Sequence, residues 1–173
     1  QYLKNLFTTK QVPFNIIAPD CLSFSAGTKL DELIVTNKEA VIQDYNSQQV
    51  GTLISLVKQD RLLQVWDACA ASGGKSIMTK DRLGKISLTV SDIRENILHN
   101  LKKRFTEAGI SGYTSVVADL SARDPLAPGD LFDLVIADVP CTGSGTWGRT
   151  PEQLFYFDKN KLSAYSDLQQ KIV

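Results

Sequence analysis

The chain has 173 residues, 43% of them hydrophobic and 22% charged, and its 19 basic and 19 acidic residues give a formal net charge of zero. That length buries one sizeable core, so one compact domain with an appendage is expected, with a composition ordinary for a soluble globular protein. No apolar run approaches the ~20 residues that span a bilayer, the first residues begin no signal peptide, and the balanced charge lacks the basic footprint that usually carries nucleic-acid affinity.

Residues 1–60 hold five Lys, no Arg and six acids, so no basic arm lies there. Three cysteines cannot all pair and fit no zinc spacing, which points to a reducing, cytoplasmic setting and no metal site.

Residues 1–43 read as an irregular N-terminal segment, a linker to or remnant of an upstream RNA-binding region, with Pro13, Pro19 and Gly27 as breakers. Within it, Phe14–Ala18 and Leu33–Val35 are short strand candidates. The second region, residues 44–173, opens with a helix near Asp44, on which Val50, Leu53, Ile54 and Val57 fall on one apolar face. Leu62–Cys69 is a strand buried on both faces, followed by a turn at Gly73-Gly74 and a helix from Lys75 to about Gly84. Lys85–Val90 is the next strand. Asp92-Ile-Arg-Glu95 has the form of a capping box. The helix after it lines up Ile97, Leu98, Leu101, Phe105 and Ala108 and stops at Gly109. Thr114–Val117 and Leu131–Ala137 are the third and fourth strands, and Leu162, Tyr165, Leu168 and Ile172 mark a last amphipathic helix.

Strands alternating with helices predict an α/β fold with a parallel sheet, in which ligands bind at the carboxyl ends of the strands. Four polar or glycine-rich clusters stand at those ends: Asp67-Ala-Cys-Ala-Ala-Ser-Gly-Gly-Lys75, Ser91-Asp92, Ala118-Asp119 and Asp138-Val-Pro-Cys141. Small residues let a ligand approach the backbone, and a helix start offers free N–H groups. An acid after the second strand suits ribose hydroxyls, and one after the third suits an adenine amino group. Each acid alone reads more readily as an N-cap or solvated loop residue; their order along the strands favours a ligand site. Gly74-Lys75-Ser76 mimics the end of a phosphate loop, but Cys69 occupies the place of that loop's first glycine, so an NTPase is excluded.

Cys69-Ala-Ala-Ser-Gly-Gly-Lys75 and Asp138-Val-Pro-Cys-Thr-Gly-Ser-Gly145 resemble the Sun/Fmu-type RNA (cytosine-C5) methyltransferases, which include bacterial small-subunit rRNA enzymes. Val41-Ile-Gln-Asp44 and Gly145-Thr-Trp-Gly-Arg-Thr-Pro-Glu152 extend the resemblance over residues 41–152. It implies a Rossmann-like class I methyltransferase fold of which this chain supplies the first four core strands. It also implies S-adenosylmethionine as cofactor and transfer of its methyl group to C5 of a cytidine in RNA, rRNA first and tRNA second. Cys69, Ala70, Ala71, Ser72, Gly73, Gly74 and Lys75 would then cradle the cofactor. Asp92 would take its ribose and Asp119 its adenine, while Asp138 would lie between cofactor and base and Cys141 beside the base. Ser72 replaces the proline usual in this loop.

The family's attacking cysteine usually lies in a Thr-Cys motif beyond the Pro-Cys motif, and no such motif occurs before Val173. The 173 residues taken alone are therefore expected to bind without turnover. The resemblance gives Cys141 a part in releasing the adduct. Two alternatives stay open: a non-catalytic cofactor- or RNA-binding module, and a DNA cytosine-C5 methyltransferase with Cys141 as nucleophile. Cys141 also reads as a small apolar loop residue, Cys69 as packing behind the cofactor loop, and Cys21 as a core or loop residue. Trp147 and Arg149 read as residues that stack on or clamp RNA, and Trp147 equally as one that packs under its loop. His99 and Lys102-Lys103-Arg104 read as solvent-facing helix residues. The fourth strand is expected to leave an apolar edge through which the chain self-associates, and no membrane partner is expected.

Overall fold

A computed structural model of the chain describes residues 1–58, 60–122, 131–148 and 150–173. The chain divides into two compact units, Gln1–Thr36 and Asn37–Val173. The first holds helix α1 (Tyr2–Thr9) and an antiparallel pair, β1 (Asn15–Ala18) and β2 (Cys21–Ser23). Helix α1 was not expected. Leu3, Leu6 and Phe7 fall at i, i+3, i+4, and Phe7, 1% exposed, packs edge-on to Phe24 at 4.8 Å and tilted to Phe14 at 6.0 Å. Leu33–Val35 is not a strand; it follows a 3₁₀ turn over Leu30–Glu32, whose Leu30 carbonyl accepts from both Leu33 and Ile34.

The second unit runs α2 (Tyr45–Ile54), β3 (Leu63–Asp67), α3 (Gly74–Leu83), β4 (Ile86–Asp92), α4 (Glu95–Glu107), β5 (Thr114–Val117), β6 (Leu134–Ile136), the short α5 (Glu152–Phe155) and α6 (Leu162–Ile172). The four strands form one parallel sheet in the order β5-β4-β3-β6. Strands β3 and β4 are central, and β4 is buried along nearly its whole length although Ser87, Thr89 and Ser91 alternate with Ile86, Leu88 and Val90. Val65, Val90, Leu101 and Phe105 are fully buried around this sheet. Each such side chain removed from water contributes about 1.5–3 kcal/mol.

The order reverses at β3: the chain first builds outward through β4 and β5, then returns to add β6 on the other side. Such a switch point opens a crevice at the carboxyl ends of the two strands beside it. Two local expectations are corrected. Leu53 does not join the buried face of α2 but is 66% exposed, because Gly51 and Ile54 are the buried residues of that helix. The capping box does not form either: β4 continues through Asp92, Arg94 precedes the first helical residue, and the Asp92 carboxylate is used elsewhere. No helix among the described residues is long and apolar enough to cross a membrane.

Candidate functional site

The segment between β3 and α3 is built to expose backbone. Ala70 donates to Ser91 O at 2.8 Å, pinning the loop to β4, and Gly73 donates back to Ala70 O at 2.8 Å. Ala71 takes a positive φ of 45°, unusual for a residue with a side chain, and its N–H donates to Asp92 Oδ2 at 3.0 Å. Gly73 precedes the helix at φ 83°, and a methyl group there would lie 2.6 Å from Phe105 Cε1. The turn therefore needs glycine for its conformation and for its packing.

These constraints shape a cavity of about 170 Å³ at the switch point, lined by Cys69, Ala70, Ala71, Ser72, Gly74 and Lys75 from the β3–α3 loop and Asp138 from beyond β6. Asp67, which opens the first strand-end cluster, and Gln43, from the Val41–Asp44 segment, complete the lining, though the sequence alone assigns neither a site role. That volume holds one end of a nucleoside-sized ligand, since whole-ligand sites run to roughly 300–1,000 Å³. Lys75 Nζ pairs with Asp138 Oδ2, and both residues also border a second, mostly apolar cavity of about 320 Å³ against Val50, Leu53 and Ile54. The ion pair thus stands between the two.

Asp67 is the unusual group. It is 0% exposed, its Oδ2 accepts from Ser76 Oγ at 2.6 Å, and its Oδ1 has no hydrogen-bond partner among the described residues. Burial pushes its carboxyl up to about 6, against the Ser76 hydrogen bond that pulls it back. A buried carboxylate oxygen without a donor is costly, so the cavity suits a ligand bearing an ammonium or another donor. Burial, with Asp92, Asp67 and Asp138 nearby, pushes the Cys69 thiol up to about 11, which keeps it protonated and poorly nucleophilic.

Burial also acts to raise the Asp92 carboxyl, but hydrogen bonds from Arg94 and Ala71 outweigh it and hold the group below the usual range. Asp92 is 5% exposed and supports the cavity through Ala71 rather than lining it. Asp119 is exposed beyond β5; Ser121 donates to it from Oγ at 2.6 Å and from N–H at 3.0 Å, holding its carboxyl below the usual range. Cys141 is exposed three residues after Asp138, with its Sγ accepting from Gly143 N–H at 3.5 Å. Gln169 of α6 donates to Pro140 O at 2.9 Å and so tethers the Pro-Cys loop. Trp147 is half-buried and packs against Phe157 at 5.1 Å. Arg149 lies outside the described residues.

Arg104 corrects the expectation of a solvated helix face. It is half-buried and donates from Nη1 to Ser72 O at 3.0 Å and Ser72 Oγ at 2.8 Å, and from Nε to Asn37 Oδ1 at 3.1 Å. The serine that departs from the usual proline thus gains a side-chain anchor of its own.

Residues 51–173 match the model of the family described as 16S rRNA methyltransferase RsmB/F. The ribosomal RNA small subunit methyltransferase B of Xylella fastidiosa is 30% identical over 135 residues, which is 78% of this chain and 30% of that protein. The probable ribosomal RNA small subunit methyltransferase B of Bacillus subtilis is 25% identical over 158 residues, 91% of this chain and 35% of that protein. The chain therefore spans about a third of the length of these curated relatives. The crystal structure of PH0851 shares the fold at a TM-score of 0.83 and 22% identity, over 99% of this chain and 39% of that one. That of NSun6 from Pyrococcus horikoshii with SFG does so at 0.58 and 20%, over 75% of this chain and 32% of that one. A four-stranded parallel sheet with its glycine loop at the switch point, and a family match over residues 51–173, agree: the chain belongs to the 16S rRNA methyltransferase RsmB/F family.

Proposed function

We propose that the chain forms the S-adenosylmethionine-binding part of an enzyme that methylates C5 of a cytidine in RNA, with rRNA the first substrate class and tRNA the second. The observation that carries this is the cavity, in which the two motif segments of the family resemblance meet across the switch point around an orphaned buried carboxylate oxygen. The methionine end of the cofactor brings the ammonium that Asp67 Oδ1 lacks, and the Ala70–Gly74 backbone gives it room. Asp92 would accept the ribose hydroxyls and Asp119 the adenine amino group. The cofactor supplies an electrophilic methyl group.

Cytosine C5 is a weak nucleophile until a thiolate adds at C6 and makes it enamine-like. The chain's contribution is Asp138, which would hydrogen-bond the ring N3 side and stabilise the adduct, with Lys75 holding its position beforehand. Removal of the C5 proton then lets the thiol leave. Cys69 is kept as a thiol, and Cys21 is buried in the other unit. Cys141 is exposed near Asp138 and would assist release, with attack coming from the thiol of the family's Thr-Cys motif.

The test is methyl transfer from labelled S-adenosylmethionine to rRNA by the protein that carries this chain, with nucleoside analysis of the product. The reading predicts 5-methylcytidine; methylation of another base or atom contradicts it. Cys141→Ser separates the two roles of that thiol. Accumulation of a covalent protein–RNA adduct fits release, and loss of all adduct fits attack by Cys141, the DNA-type alternative.

A further inference from the structure

Asp92 is the acid assigned to the ribose, yet its acceptor capacity is already filled. An ionised carboxylate offers about four lone-pair sites. Oδ1 accepts from the Arg94 backbone N–H at 3.0 Å and from Arg94 Nε at 3.0 Å. Oδ2 accepts from the Ala71 N–H at 3.0 Å and from Arg94 Nη2 at 3.2 Å. Two of these donors are backbone groups that fix the turns on either side and cannot leave without unfolding them. The other two belong to one guanidinium whose side chain is 56% exposed, while the carboxylate it grips is 5% exposed. A vicinal diol would present the same thing to Asp92: two roughly parallel donors, one to each oxygen.

We propose that the Arg94 guanidinium is a displaceable occupant of the ribose subsite, which must swing into solvent before a nucleoside diol can bind Asp92. The inference rests on the assignment of Asp92 to the ribose. It gives Arg94 a purpose in the empty protein: it supplies the countercharge to a buried carboxylate that would otherwise keep only its two backbone donors. It also gives Arg94 a cost in the bound one, because ligand affinity is reduced by whatever holds the fork in place. Partial exposure makes that hold modest, as for other exposed ion pairs.

The test is isothermal titration with S-adenosylhomocysteine, beside thermal unfolding of the free protein, for unmodified protein, Arg94→Met, Arg94→Lys and Asp92→Asn. Arg94→Met should bind about three- to ten-fold more tightly although the free protein unfolds at lower temperature. A merely structural arginine would lower both together. Arg94→Lys, with a point charge in place of the fork, should fall between the two and keeps the question open to refutation if the methionine variant does not fold. Equal or weaker binding by both Arg94 variants overturns the proposal while leaving the cofactor site in place. If Asp92→Asn binds as tightly as the unmodified protein, the ribose assignment falls and the proposal with it.

Discussion

Replacing Gly73 with alanine should be the most damaging glycine-to-alanine change among the described glycines of the second unit. Gly73 sits at φ 83° and ψ 15°, where an L side chain costs about 1–2 kcal/mol. The added Cβ would also stand 2.6 Å from Phe105 Cε1 and 3.1 Å from Leu101 Cγ. Both neighbours are 0% exposed and belong to the core cluster, so neither ring nor branch has free space to enter. Overpacking of this kind costs about 1–3 kcal/mol, for a sum of roughly 2–5 kcal/mol. Gly143 provides the control, since it holds nearly the same conformation, φ 72° and ψ 10°, with only Thr146 Oγ1 among the described residues within reach, at 3.9 Å. Gly143→Ala should therefore cost about 1–2 kcal/mol from conformation alone. Urea unfolding at constant slope measures both. Equal losses for the two variants would refute the argument that Gly73 is selected by packing against α4. The loop around Gly73 also forms the cavity wall, so its displacement should weaken S-adenosylmethionine binding as well.

The Asp67 carboxyl, pushed up to about 6 by burial, lies above its unfolded value near 3.9. Its proton-linked stabilisation is full below about pH 4 and lost as pH rises through 6, on the order of 2–3 kcal/mol. Unfolding of the free chain between pH 4 and 7 should show this component, and Asp67→Asn should remove it; an unchanged profile would exclude Asp67 as its source. Arg104→Leu strips three hydrogen bonds from Ser72 and Asn37 and should cost about 1–3 kcal/mol in urea unfolding, with weaker cofactor binding. Arg104→Lys should recover little of it, because a single ammonium cannot span both partners. Strand β6 lies at the edge of the described sheet with Val135 49% exposed, so the 173-residue chain should sediment with a concentration-dependent mass. A constant monomer mass would show that this edge is not sticky.

The sequence makes the sheet legible because its signals are local and redundant. Glycine stops at Gly84 and Gly109, strand-forming segments at Leu63–Asp67 and Ile86–Asp92, and motif residues at strand ends all give the same answer. The candidate site is legible to the extent that chemistry sits on motif residues: the loop from Cys69 to Lys75 and Asp138 do share one cavity, although Gly73 serves packing. What sequence does not show is side chains that act across long separations. Arg104 looks like one of three exposed cations on α4, yet reaches Ser72, 32 residues earlier. Asp67 reads as the end of a strand, and only the packed fold shows that it is buried with one oxygen unpaired among the described residues. Asp92 has the spacing of a cap, but the strand expected to end at Val90 extends through it, which hands the carboxylate to Ala71 and Arg94.

The central claim is the cofactor site, and the most direct test is isothermal titration of the chain with S-adenosylmethionine, beside Asp92→Ala. We expect one site per chain, with affinity at least about ten-fold weaker in the variant, the scale of a lost charge-assisted hydrogen bond to a buried acid. Binding unchanged by Asp92→Ala, or no binding by the folded chain at all, would contradict the account.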